Sequence, residues 1–127
     1  MCNWCTYAGA DNAGVARIES PANILPVRVM CSGRISPEMV FRAFRAGADG
    51  VLVMGCHLGD CHYAVGNHRT LKRVPLVKNL ISYVGVDPQR VELYWVSASE
   101  APRFAQVTKE FTERIRQLGP FVQEAAK

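Results

Sequence analysis

The chain has 127 residues, the length of one domain, and carries a formal net charge of +4. With 49% hydrophobic and 20% charged residues, its composition is typical of a globular protein and excludes a disordered chain. No apolar run reaches the roughly 18 residues that a membrane span requires, and the positive charge is too dispersed to predict a nucleic-acid partner.

Helical and extended patterns alternate in the first part of the chain. Residues 6–18 predict a helix, and the β-branched run at residues 27–30 predicts a strand. The next helix is expected to begin with Ser36 as its N-cap and Pro37 in its first position, and to end at Gly47.

The same alternation continues through the second part. The apolar run at residues 50–54 is typical of a strand that is buried on both faces. Apolar spacing predicts a helix over residues 76–84, which Pro75 starts or kinks, and then a strand over residues 91–96. Ser97 to Glu100 have the spacing of a capping box and predict the start of the last helix. Gly119 and Pro120 predict its end.

This order of elements predicts a single α/β domain with a mostly parallel sheet over residues 1–120. Residues 121–127 are expected to form a C-terminal tail. A layered α/β domain normally opens with a strand, but only Met1 precedes Cys2. We therefore expect the sheet to lack its first N-terminal strand.

The cysteines are crowded into the first half of the chain. An odd number excludes a closed set of intrachain disulfides, and no signal segment precedes them, so a reducing, cytoplasmic setting is expected. Clustered cysteines in that setting predict a metal-binding or catalytic site. Since ligand sites in open α/β sheets gather at the carboxyl ends of the strands, we expect all five to meet at one sheet edge: Cys2, Cys5, Cys31, Cys56 and Cys61.

Three chemistries could use such a group of thiols. An iron–sulfur cluster requires four thiolates, and the glycines beside these cysteines would let backbone amides approach the sulfurs. A structural zinc site fits less well, because the chain has one Cys-x-x-Cys pair instead of two. Cys2 and Cys5 could instead exchange thiol and disulfide at a helix N-terminus. Some of the cysteines could also be small buried hydrophobic residues.

Several other residues lie beside the cysteines in sequence. His57 and His62 each follow a cysteine directly, which does not match the Rieske spacing, so we expect them to donate hydrogen bonds to the cluster or to a partner. Trp4, Tyr7 and Tyr63 could shield the site from water or simply belong to the core. Basic residues near these segments indicate either a solvated face or docking to an acidic redox partner: Arg17, Arg34, Arg69, Lys72, Arg73 and Lys78.

Five sequence blocks resemble a known family. They are CNWCTYAGAD at residues 2–11, RVMCSGR at 28–34, GADGV at 47–51, GCHLGDCHY at 55–63 and WVSASE at 95–100. In content and order they are similar to the iron–sulfur delta subunit of methyl-viologen-reducing hydrogenase, over nearly the whole chain.

The resemblance implies an electron-transfer subunit with one [2Fe–2S] cluster that performs no bond-making chemistry. It implies electron relay, as in methanogenesis, between a hydrogenase or formate dehydrogenase and the flavin-containing A-type subunit of heterodisulfide reductase. The family's cysteine motif carries over to all five cysteines without defining which four bind the cluster. We expect the ligands to be Cys5, Cys31, Cys56 and Cys61, with Cys2 as the spare.

Overall fold

Two parallel strands, β1 (Val51–Gly55) and β2 (Val91–Trp95), lie at the centre of the computed structural model, which describes residues 1–121. Within these residues the remaining regular elements are helical. They are α1 (Thr6–Val15), α2 (Pro37–Arg45), α3 (Gly66–Tyr83) and α4 (Ala101–Leu118), with 3-10 turns at Ser32–Arg34 and Pro88–Arg90. The predicted single α/β domain with parallel strands is confirmed.

The two faces of β1 bury two different hydrophobic clusters. Consecutive strand residues point to opposite faces, so Val53 and Met54 belong to separate clusters. Val53 packs with residues of α2 and α3, whereas Met54 packs with residues of α1 and α4. The prediction that this run is buried on both faces is therefore confirmed. Fully or largely buried members include Val40, Phe44, Val77 and Ile81 on one side and Ala13, Val96, Phe104 and Val107 on the other.

The chain start lies between β1 and the segment predicted to form the first strand. The Val29 N–H donates to the Met1 carbonyl (3.0 Å), and the Asn3 N–H donates to the Val29 carbonyl (2.8 Å). On the other side, the Cys2 N–H donates to the Met54 carbonyl (3.2 Å). Residues 1–3 thus occupy the place of a first strand, although they form only one isolated parallel bridge, Cys2 with Val29.

The predicted strand at residues 27–30 is wrong. Only Val29 pairs, because the three residues beside it offer too short an edge for a ladder. Val27 and Met30, which flank it, are more than half exposed. This β-branched run therefore forms an extended edge segment and not a strand.

Helix α3 begins ten residues before the predicted start. Glycine and proline commonly interrupt helices, but Gly66 is the first helical residue and Pro75 lies inside the helix. Proline removes one N–H donor and costs stability in a helix interior. Here that cost is offset by the burial of Thr70 and Val74 in the first half of the helix.

The other helix ends agree more closely with the sequence. The Ser36 Oγ accepts a hydrogen bond from the Met39 N–H (3.3 Å), as expected of the N-cap of α2. Helix α1 ends at Val15 instead of residue 18. Helix α4 begins at Ala101, and half of the predicted capping box forms upstream of it, where the Glu100 carboxylate accepts from the Ser97 N–H (3.0 Å).

The C-terminal end of α4 also follows the prediction. The helix ends at Leu118, and Gly119 has a positive φ of 79°. Phe121, the first residue of the predicted tail, packs edge-on against Phe44 and donates its N–H to the Asp49 carboxylate (2.7 Å). The rest of that tail lies outside the described residues. Within residues 1–121, no helix is long and apolar enough to cross a membrane.

The two glycines of α1 provide a test of how this helix packs. A Cβ at Gly9 would lie 2.8 Å from the Ser97 carbonyl oxygen, whereas Gly14 has nothing within 4 Å. Gly9→Ala should lower the free energy of unfolding by about 1–3 kcal/mol, because α1 cannot move freely away from the segment that follows β2 to make room for the new Cβ. Gly14→Ala should raise it by up to about 1 kcal/mol, the usual gain from replacing a helical glycine. Urea denaturation of both variants checks this, and equal effects would contradict the packing described.

Candidate metal centre

Four of the cysteines lie at or beside a helix, strand, 3-10 turn or bridge, and Cys61 lies in a loop. Cys2 forms the bridge with Val29, and Cys5 is the N-cap residue of α1. Cys31 precedes the 3-10 turn and Cys56 directly follows β1, while Cys61 lies in the loop before α3. The fold therefore brings these residues from five separate chain positions to one region.

Three of the sulfurs form a tight group. The Sγ atoms of Cys2, Cys5 and Cys56 all lie within 4.8 Å of one another. The Cys2 Sγ is 3.7 Å from that of Cys56, while Cys5 and Cys56 are joined as a disulfide. Cys2 is a buried free thiol. These residues could supply metal ligands once the Cys5–Cys56 bond is reduced.

The remaining two sulfurs form a pair. The Sγ atoms of Cys31 and Cys61 are 3.7 Å apart. Two thiolates bound at about 2.3 Å to one tetrahedral metal lie about 3.8 Å apart, so this pair fits a shared metal ion. The pair adjoins the group of three, because the Cys2 thiol contacts the carbonyl of Met30, the residue before Cys31. Once the Cys5–Cys56 disulfide is reduced, five thiols in this arrangement fit a metal centre with sulfur ligands.

Helix amino ends surround these sulfurs. Helix α1 begins directly after Cys5, the 3-10 turn directly after Cys31, and α3 five residues after Cys61. Neither α1 nor α3 has a side-chain cap, and none of the three elements has an acidic residue in its first turn. Main-chain N–H groups in the 3-10 turn and at the start of α3 face the sulfurs of Cys31 and Cys61, where they would stabilise negative charge.

The influence of main-chain N–H groups on a thiol is clearest at Cys61. Burial raises the pKa of its thiol, but the N–H groups of Asn67, Tyr63 and Gly66 and the Cys31 thiol outweigh it, so its pKa lies below the ordinary value. Burial raises the pKa of Cys31, although the Gly33 N–H at 3.4 Å opposes that rise.

Close backbone contacts hold the Cys31–Cys61 pair in place. A Cβ at Gly33 would lie 2.8 Å from the Gly66 carbonyl oxygen, so the 3-10 turn packs directly on the start of α3. A Cβ at Gly66 would overlap the Cys31 sulfur. Glycine is required at both positions because the main chain and the sulfurs fill the space that a side chain would need.

Buried polar side chains join the cysteine segments to α3. The Thr70 hydroxyl donates to the Ser32 hydroxyl (2.9 Å), and both residues are buried. The Asn67 amide donates to the carbonyls of Cys56 (3.2 Å) and His57 (2.7 Å). Among the described residues its carbonyl oxygen is buried without a hydrogen-bond partner. Sequence reasoning missed Asn67 and Thr70 because it placed them in a loop.

The two histidines contact residues other than the sulfurs. The His57 Nε2 pairs with the Glu100 carboxylate, whose pKa is lowered by the Ser97 N–H and by His57 itself. The His62 ring stacks on Trp4 with centroids 4.0 Å apart. The expected hydrogen bonds from both histidines to a cluster stay a prediction.

Trp4, His62 and Tyr63 form an aromatic cap beside the cysteines. The Trp4 Nε1 donates to the Tyr63 hydroxyl (3.0 Å), and His62 lies edge-on to Tyr63. Trp4 and Tyr63 are both about half exposed, at 45% and 48%. The cap thus joins the segment of Cys5 to the loop of Cys61, and whether it shields the sulfurs from water stays a prediction.

Two of the basic residues expected near the site have structural roles. The Arg73 guanidinium donates to the carbonyls of Gly33 (2.7 Å) and Ile35 (2.6 Å). Lys78 pairs with Glu92 on β2 (3.1 Å). The other four are exposed: Arg17, Arg34, Arg69 and Lys72.

Comparison with known proteins identifies similar chains. The family described as "Methyl-viologen-reducing hydrogenase, delta subunit" matches residues 1–119. The chain is 52% identical over 120 residues to the D-type iron-sulfur subunit of the F420-non-reducing hydrogenase of Archaeoglobus profundus, covering 94% of this chain and 88% of that one. It is 46% identical over 119 residues to the D-type vhc iron-sulfur subunit of the F420-non-reducing hydrogenase of Methanococcus voltae, covering 94% and 83%.

A longer relative contains the same unit. The chain is 45% identical over 130 residues to the A-type subunit of the ferredoxin/F420H2-dependent CoB-CoM heterodisulfide reductase of Methanosarcina acetivorans. That match covers 99% of this chain but 16% of the longer protein, so the chain spans about a sixth of that relative.

The packing at Gly66 can be tested through metal protection of individual cysteines. In the reduced protein, Cd²⁺ should protect Cys31 and Cys61 from alkylation, as followed by peptide mass spectrometry. Gly66→Ala should raise their alkylation rate in Cd²⁺ at least about tenfold, because its Cβ displaces the Cys31 sulfur. Gly14→Ala is the control, since a Cβ at Gly14 would have nothing within 4 Å and its helical backbone accepts alanine. Equal protection in both variants would rule out the contact.

Proposed function

Because this chain belongs to the family of the methyl-viologen-reducing hydrogenase delta subunit, we propose that it is an electron-transfer subunit that holds a [2Fe–2S] cluster. The observation that carries the proposal is the convergence of five sulfurs at the amino ends of α1, α3 and the 3-10 turn. Two thiolates are needed for each iron of such a cluster, and the sulfurs occur as a pair beside a group of three.

The ligands that we propose are the four expected from the sequence. Cys31 and Cys61, 3.7 Å apart, would hold one iron. Cys5 and Cys56 would hold the other after reduction of their disulfide. Cys2 lies 3.7 Å from Cys56, so it is the residue that could replace Cys5 in this role.

The bound cluster would accept and release one electron at a time. The chain's own part is electrostatic, since the N–H groups around Cys61 and Cys31 stabilise negative charge on the sulfurs. The aromatic cap limits access of water to the site. A relay of this kind would make and break no bond of a substrate.

The names of the relatives support a pair of partners. We propose that electrons come from a hydrogenase, or from a formate dehydrogenase, and pass to an A-type flavoprotein subunit of heterodisulfide reductase. The relative that contains this unit within its heterodisulfide reductase chain supports the second contact. We further propose that the chain acts in the cytoplasm, in the electron-transfer reactions of methanogenesis or a related metabolism.

A dithiol oxidoreductase is the second candidate, and one observation favours it. Cys5 and Cys56 form a disulfide in the structure, whereas the sequence favours Cys2 with Cys5 for this chemistry. A zinc-bound adaptor domain would use the same sulfurs. Iron, zinc and labile-sulfide analysis of anaerobically purified protein separates the three functions. About two irons and two sulfides per chain are expected, while one zinc without sulfide, or a metal-free dithiol, would contradict the proposal.

Replacing each cysteine in turn by serine should distinguish the four cluster ligands from the spare cysteine. Cys31→Ser and Cys61→Ser should each abolish or shift the EPR signal of the dithionite-reduced protein, because one iron then loses half of its thiolate pair. Cys5→Ser and Cys56→Ser should do the same, and Cys2→Ser should leave the signal intact. If Cys2→Ser loses the signal and Cys5→Ser keeps it, Cys2 is the ligand and Cys5 the spare. If all five variants keep the signal, the proposed site is wrong.

A further inference from the structure

Helix α3 carries a second, outward apolar face. Its inward face buries residues such as Val74, Val77 and Ile81 against the sheet. On the opposite side, exposed residues follow one another at intervals of three or four along the helix, as neighbours on one face do. We call these six residues the α3 stripe: Val65, Arg69, Lys72, Leu76, Leu80 and Tyr83.

The stripe is more apolar than a solvated helix face. Leu76 is 53% exposed, Leu80 41% and Tyr83 92%. A helix with apolar residues on both faces is typical of an element that is buried in a larger assembly, and contiguous exposed apolar side chains mark interaction sites. Helix α2, by contrast, exposes charged side chains: Glu38, Arg42 and Arg45.

The charges on the stripe are all of one sign. Between Cys61 and Val86 the sequence has no Asp or Glu. Within residues 1–121, neither Arg69 nor Lys72 forms an ion pair, whereas Lys78 on the same helix pairs with Glu92. Two cations therefore remain available beside the leucines for carboxylates supplied from outside the chain.

The stripe is continuous with the metal centre. Its first residue, Val65, donates its N–H to the carbonyl of Tyr63 (2.8 Å), a member of the aromatic cap. Cys61 lies in the same loop, four residues before Val65. A protein seated along α3 would therefore extend to the edge where the sulfurs meet, which places it within reach for electron transfer.

We propose that the α3 stripe is the docking surface for a redox partner protein that presents an apolar strip flanked by carboxylates. This inference rests on the proposed function, which requires a partner at the metal centre. A second copy of the chain fits poorly through its own stripe, since that stripe has no carboxylate to pair with Arg69 and Lys72. A nucleic acid fits poorly because Leu76, Leu80 and Tyr83 form an apolar surface and not a row of phosphate-binding cations.

The test measures binding of the intact chain to the purified heterodisulfide reductase A-type subunit and to the hydrogenase encoded in the same genome. The double variant Arg69→Glu, Lys72→Glu should slow association at least about tenfold at low salt. Leu76→Ser with Leu80→Ser should speed dissociation at least about tenfold. Lys109→Glu and Val15→Ser are matched controls, because both residues are exposed on helices of the opposite layer, and they should stay within about twofold of the native chain.

The outcomes separate this surface from the relay function. Circular dichroism and iron content should be the same in all variants, so weaker binding reports the surface and not the fold. Three results would each overturn the proposal. The stripe variants could bind like the native chain, or the native chain could bind neither protein. The native chain could also self-associate in a way that the stripe variants abolish. If the native chain binds through the stripe but holds no iron, the relay function fails while the docking surface stands.

Discussion

The convergence of five cysteine sulfurs in one region is the constraint on which the rest of this structure depends. Thiolates a few ångströms apart repel one another unless donors face them. At Cys31 and Cys61 the fold meets this need with main-chain N–H groups from the 3-10 turn, from the loop before α3 and from the start of α3. The pKa of the Cys61 thiol is lowered because these N–H groups, together with the Cys31 thiol, outweigh the effect of its burial.

The sheet explains why sulfurs from distant parts of the chain meet. Cys56 directly follows β1, and Cys2 is held beside β1 by the hydrogen bond from its N–H to Met54 (3.2 Å). Both faces of β1 are covered by helices, so these backbone positions are fixed by two hydrophobic clusters at once. Helix α3 links the centre to the surface, since one end contacts the sulfurs and its outward face remains exposed.

Much of the fold could be predicted from the sequence, because patterns of burial are local. The apolar run of β1, the N-cap Ser36 and the stop at Gly119 each act within a few residues. The start of α3 could not be predicted, because Gly66 is required by a close approach to Cys31, a residue 35 positions away. The arrangement of the sulfurs as a pair beside a group of three could not be predicted either, since it depends on contacts between distant segments.

Anomalous diffraction at the iron edge, from crystals grown without oxygen, tests the proposed cluster most directly. We expect two iron peaks less than about 3 Å apart, between the Cys31–Cys61 pair and the group that contains Cys5 and Cys56. Main-chain N–H groups from the start of α3 should point toward the sulfurs of that centre. A single zinc peak, or an intact Cys5–Cys56 disulfide in protein isolated anaerobically from its host, would contradict a [2Fe–2S] relay at this site.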